Sequence, residues 1–132
     1  MQKSKTFINI PALHNADLNT LTKTLGRPID VEKTNYMGVR KTFYNFKKNG
    51  YHITVRIAQS RAKSFTISNP YKSNNPILVG QNLGYDLKRA RILSRSSFNI
   101  EYKISGGTVS FITFNNNIET VQFFLDGWNP FD

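Results

Sequence analysis

From Tyr51 to Ile57 apolar and polar residues alternate without interruption. Tyr51, Ile53, Val55 and Ile57 are apolar or aromatic, and His52, Thr54 and Arg56 between them are polar. A period of two marks a strand with one buried face, which is stable only within a sheet packed against other elements. Tyr44 and Phe46 carry the same pattern, as do Phe98, Ile100, Tyr102 and Ile104, then Val109 with Phe111. Phe65 with Ile67 and Phe123 with Leu125 add two further strands. Lys48-Asn49-Gly50, Ser105-Gly106-Gly107 and Asn115-Asn116-Asn117 separate them, and Asn and Gly tolerate the positive φ that hairpin turns demand.

Two short helices interrupt the strands. Leu18, Leu21 and Leu25 share one face of a helix predicted over Asp17 to Leu25, with Asn15 or Asp17 as cap and Gly26 as the stop. A second helix is expected from Asn75, where Pro76 occupies the favoured first-turn position, through Ile77, Leu78 and Val79 to Leu83. The order of elements suggests an internal repeat of residues 5–67 and 63–125, Leu25-Gly26 corresponding to Leu83-Gly84 and Tyr44 to Tyr102. The expected fold is α+β: one compact domain over residues 1–132 with two similar halves, each a short helix packed on an antiparallel sheet of three to four strands. The first half reads strand near Thr6–Ile10, then helix, then basic connector, then hairpin.

The segment Leu25-Gly26-Arg27-Pro28, the aromatic strand Thr42-Phe43-Tyr44-Asn45-Phe46, the Gly50 turn and the strands Tyr51–Ile57 and Lys63–Ile67 together resemble a known repeat. It is that of the beta-lactamase-inhibitor-protein-like superfamily, which includes small lipoproteins of outer-membrane assembly. Leu83-Gly84-Tyr85-Asp86 stands at the equivalent place in the second half. The resemblance implies a non-catalytic protein that binds a protein partner on its sheet.

Charge is distributed unevenly. Of 18 Lys and Arg against 8 Asp and Glu, for a net charge of +10, most of the cations fall between Lys33 and Lys103. An excess of this size creates a potential that attracts phosphates, acidic protein faces or anionic lipid. Arg40, Lys41, Lys47 and Lys48 flank the strand that carries Phe43, and Arg56 and Arg61 follow. Lys88, Arg89, Arg91 and Arg95 fill the second connector. Cations interleaved with aromatic rings are suited to single-stranded nucleic acid, so these eleven residues are the candidate anion site. A second candidate is apolar: Ile112, Phe114 and Phe124 lie on the face opposite the buried one, with Trp128 and Phe131 in the tail. Either the tail covers that stripe or a protein partner does.

Other classes of function find little support. His14 and His52 are the only histidines and fall in different elements, so no catalytic constellation is proposed and no enzyme is expected. Asp30 and Glu32 are the one close acidic pair and are expected to share a solvated face. There is no cysteine, which excludes disulfides and thiolate metal sites from this chain; no metal or cofactor is expected. No apolar run reaches the roughly 18–20 residues of a bilayer span. A start at Met1 predicts a cytoplasmic protein, whereas a longer precursor would allow a periplasmic or extracellular one. The functional expectation is a binding module for nucleic acid or an acidic protein surface, with a protein-binding adaptor or inhibitor as alternative and a homodimer as an open possibility.

Overall fold

The computed structural model describes residues 8–36, 38–68 and 73–126, and its eleven elements follow in order. Helices α1 (Ile10–Leu13) and α2 (Leu18–Leu25) precede the strands β1 (Asp30–Tyr36), β2 (Val39–Lys48), β3 (Tyr51–Ala58) and β4 (Arg61–Ser68). Helix α3 (Pro76–Asn82) then precedes β5 (Ile92–Arg95), β6 (Asn99–Ile104), β7 (Gly107–Phe114) and β8 (Asn117–Leu125). The strands form one antiparallel sheet in the order β1-β2-β3-β4-β8-β7-β6-β5. The fold is therefore α+β with few helices. Two separate sheets were expected; instead the last strands of the two meanders, β4 and β8, pair along Ser64–Ser68 and merge them. Among the described residues no helix is long and apolar enough to cross a membrane.

Local chemistry explains the helix ends. Asp17 accepts the Thr20 amide as N-cap of α2, and Gly26 at φ +86° ends it. Asn75 caps α3 by accepting from the Ile77 amide, with Pro76 in its first turn. The expected strand at Thr6–Ile10 is not formed over its described part. Ile10 opens α1 instead, capped by Asn9 and started by Pro11, and residues 1–7 lie outside the described residues.

Registers place the alternation on one face. Tyr44, Val55, Phe65, Phe123, Val109 and Tyr102 are consecutive cross-strand neighbours, as are Phe46, Ile53, Ile67, Val121, Phe111 and Ile100. Against them pack Ile8, Ile10 and Leu13, then Leu21 and Leu25 of α2, and Val79, Leu83 and Leu87 around α3. All of these helix-side residues are buried, so the core is a single layer between the helices and this face. Phe98, expected on the strand, lies in the β5–β6 turn and is 72% exposed.

Candidate binding face

The opposite face of the sheet carries no helix among the described residues, an arrangement open to antiparallel sheets because one face can be solvated. Three rows of side chains cross it. The first runs Asp30, Asn45, Thr54, Thr66, Gln122, Ser110, Glu101, Ser94. The second runs Glu32, Phe43, Arg56, Ser64, Phe124, Thr108, Lys103. The third runs Lys47, His52, Ser68, Thr120, Ile112, Asn99. Neighbours within a row lie one strand spacing apart, about 4.8 Å.

The second row is the chemically distinctive one. Arg56 stands directly between Phe43 and Ser64, with Phe124 on the far side of Ser64. Arg56 is only 5% exposed and Ser64 1%. Phe43 and Phe124 are half-buried, and Asn45 and Ser110 of the first row are buried as well, so Arg56 is held low beside Phe43 on a face whose centre is largely withdrawn from solvent. In the first row Thr54 donates to Asn45 Oδ1 at 2.7 Å, which fixes the amide.

Lys41, Phe43, Lys47, Arg56 and Arg61 of the expected anion site thus share this face through β2, β3 and β4. Lys48 is turned to the helix side, where its ammonium donates to the Thr24 carbonyl at the C-terminal end of α2. Arg40 lies opposite Asn35 at the β1–β2 hairpin. Lys88, Arg89, Arg91 and Arg95 sit at and just before β5, at the other edge of the sheet from β1. Arg40, Lys41, Lys47 and Lys48 stand on β2, six strand spacings from β5, about 29 Å measured along the sheet, so the two basic groups lie on distant strands. Ile112 and Phe124 of the apolar candidate lie half-buried on the open face, and Phe114 at its rim is 65% exposed. Trp128 and Phe131 lie outside the described residues.

Two further polar features complete the picture. Asp30 and Glu32 do share a face, but as members of an edge strand they bring acid to the rim beside Asn45 and Phe43. A polar cluster also forms where α1, β4 and β8 meet. His14 Nε2 lies 2.9 Å from Asp126 Oδ2, Lys63 Nζ reaches the same oxygen at 3.1 Å, and Lys63 also donates to Asn15 Oδ1. These hydrogen bonds from His14 and Lys63 hold the Asp126 carboxyl below its ordinary value. A depression beside α2 is lined by Asp17, Leu18, Asn19, Tyr44, Ile57 and Ser60. Its one ionisable carboxyl, Asp17, is committed to the Thr20 amide. Among the described residues no three metal-ligating side chains gather.

The fold recurs in secreted bacterial proteins. The chain superposes on an extracellular protein containing a SCP domain from Bacillus anthracis str. Ames with a TM-score of 0.61 and 11% identity, over 96% of this chain and 49% of that one. It superposes on a cysteine-rich secretory protein from Staphylococcus aureus subsp. aureus Mu50 with a TM-score of 0.59 and 12% identity, over 94% and 48%. The chain thus spans about half the length of each, and at these identities the likeness is one of fold. A proposed beta-lactamase inhibitor protein from Streptococcus mutans aligns at 17% identity over 80% of this chain and 81% of that one. Its TM-score of 0.41 is too low to support the resemblance drawn from Leu25–Pro28 and the aromatic strand. No protein-family model and no curated protein matches the sequence.

Proposed function

We propose that this chain is a non-enzymatic binding domain that docks an anionic protein surface on the face of its sheet opposite the described helices. The observation that carries this reading is the second row, in which Phe43 and Phe124 bracket Arg56 and Ser64. Ile112 and Phe114 extend the apolar part, and Lys41, Lys47, Arg61 and Lys103 surround it. Aromatic and Arg anchors at the centre with a charged rim are the usual anatomy of a protein interface. We read the meanders β1–β4 and β5–β8 as two similar halves of an internal repeat, whose four-strand units differ in what they present on this face. The first presents cations and the second apolar side chains. The extracellular and secretory neighbours support a location outside the cytoplasm and a place within a larger protein.

A nucleic acid is the second reading, favoured by the net charge of +10 and by Phe43 sharing its strand face with Lys41 and Lys47. One experiment separates them. The full chain is titrated with a mixed single-stranded oligonucleotide and, in parallel, used to isolate a stoichiometric protein partner. Loss of the partner on Phe124→Asp, with unchanged circular dichroism, supports the protein reading. Oligonucleotide affinity whose logarithm falls by about 0.7 per phosphate contacted against log salt would favour nucleic acid. Neither response would remove both.

A further inference from the structure

We infer that the β5 edge of the sheet is a second docking site, which takes an acidic peptide segment in extended conformation as an added strand. β5 pairs with β6 on one side and ends the sheet on the other, so its outward amides and carbonyls have no strand beyond them among the described residues. All four of its residues are exposed, with Ile92 at 43% and Leu93 at 40%, and Phe98 in the adjoining turn is also exposed. Such an edge is a template for a further strand, which main-chain hydrogen bonds hold and side-chain contacts select.

Charge decides the occupant. Arg91 precedes the strand, Arg95 ends it, and Lys88 and Arg89 lie in the approach; all four are exposed. None of them is ion-paired among the described residues. A second copy of this chain would bring the same cations against them, so self-pairing is opposed. An extended segment that mixes carboxylates with apolar residues satisfies the backbone, Ile92 and Leu93, and the cations together. The opposite edge lacks this selectivity, because β1 carries Asp30 and Glu32 beside Lys33.

The test is an amide-exchange and chemical-shift titration of the full chain at low salt. The probe is a synthetic peptide of alternating Val and Glu, about eight residues long. Binding with exchange slowed at Ile92–Arg95, and not along β1, is the expected result. The double variant R91E/R95E should weaken this peptide about tenfold and bind a Val/Lys peptide instead, a reciprocal swap that only a folded protein can show. No binding overturns the proposal. So does equal binding by a peptide with Pro at its central Val positions, which keeps the charge and removes the ladder. An oligonucleotide that displaces the peptide without any slowing of exchange at β5 having been seen would show that charge alone was at work, and would also overturn it.

Discussion

His14 Nε2 and Asp126 Oδ2 lie 2.9 Å apart although 112 residues separate them in the chain. His14 closes α1, and Asp126 follows β8, where its amide donates to the Gly106 carbonyl at 2.8 Å. Lys63 joins the same carboxylate from β4. Beside them Asn15 donates its amide to Ala62 and Ala62 donates back to Ala16, both at 2.9 Å. The cluster therefore ties the N-terminal helices to the line where the two meanders join.

Asp126→Asn should lower stability by about 0.5–1 kcal/mol near neutrality, the range of a partly exposed ion pair. The carboxyl lies below its ordinary value of 3.8 in the folded protein, held there first by hydrogen bonds from His14 and Lys63. A depressed acid stabilises above the unfolded value and loses that contribution as pH falls through the folded one. Denaturant midpoints of the two proteins should thus differ from neutrality down to the carboxylate range and converge below it. A constant gap at all pH values would mean that the Asn side chain acts through packing.

Tyr85 should be among the last of the six tyrosines to ionise. Burial pushes its phenol up from 10.0 to about 12, and its ring stacks on Phe123 with centroids 5.1 Å apart. A phenol raised on folding stabilises the protein below its unfolded value, and the contribution is lost as pH climbs from about 10 to about 12. Ultraviolet titration should show a late, cooperative phenolate, and Tyr85→Phe should remove it while flattening the alkaline loss of stability.

The β3–β4 hairpin holds a removable strain. Gln59 and Ser60 both adopt positive φ, 54° and 62°, in a turn without glycine. The β2–β3 turn meets the same demand with Asn49 and Gly50. Replacing Gln59-Ser60 by Asn-Gly should therefore stabilise by about 0.5–2 kcal/mol, raising the thermal midpoint by several degrees. An unchanged or lower midpoint would show that Gln59 and Ser60 make compensating contacts.

Phe123 and Phe124 adjoin in sequence but belong to opposite faces. Phe123 is fully buried in the core beside Phe65 and Val109, and Phe124 is half-buried on the open face. Phe123→Ala should cost about 3–5 kcal/mol, as for other buried aromatics. Phe124→Ala should cost less than half as much. Equal losses in chemical denaturation would mean that the open face is covered.

The helices and hairpins could be read from sequence because their signals are local: Asp17 and Asn75 as caps, Pro76 in a first turn, Asn and Gly in the turns. The central strands announced themselves by burying one face. β1 and β5 did not, since edge strands with mostly exposed side chains have no reason to alternate, and in sequence Asp30–Tyr36 and Ile92–Arg95 read as connectors. Asn9 and Pro11 did carry a start signal for α1, which the apolar Phe7, Ile8 and Ile10 obscured. What joins β4 to β8, or His14 to Asp126, leaves no local trace because each is a pairing between distant residues. Nor does any local signal show that β2 and β5, which carry or adjoin the two basic groups, stand six positions apart in the sheet.

The β4–β8 pairing also has a temporal consequence. During synthesis the first meander can form once Ser68 has left the ribosome, but β8 is complete about 60 residues later, on the order of 3–12 seconds at usual translation speeds. Throughout that interval much of the outer margin of β4 stands uncovered, and any neighbouring nascent chain could occupy it. Slow translation across residues 69–125 should therefore favour tangled, strand-exchanged products over the monomer.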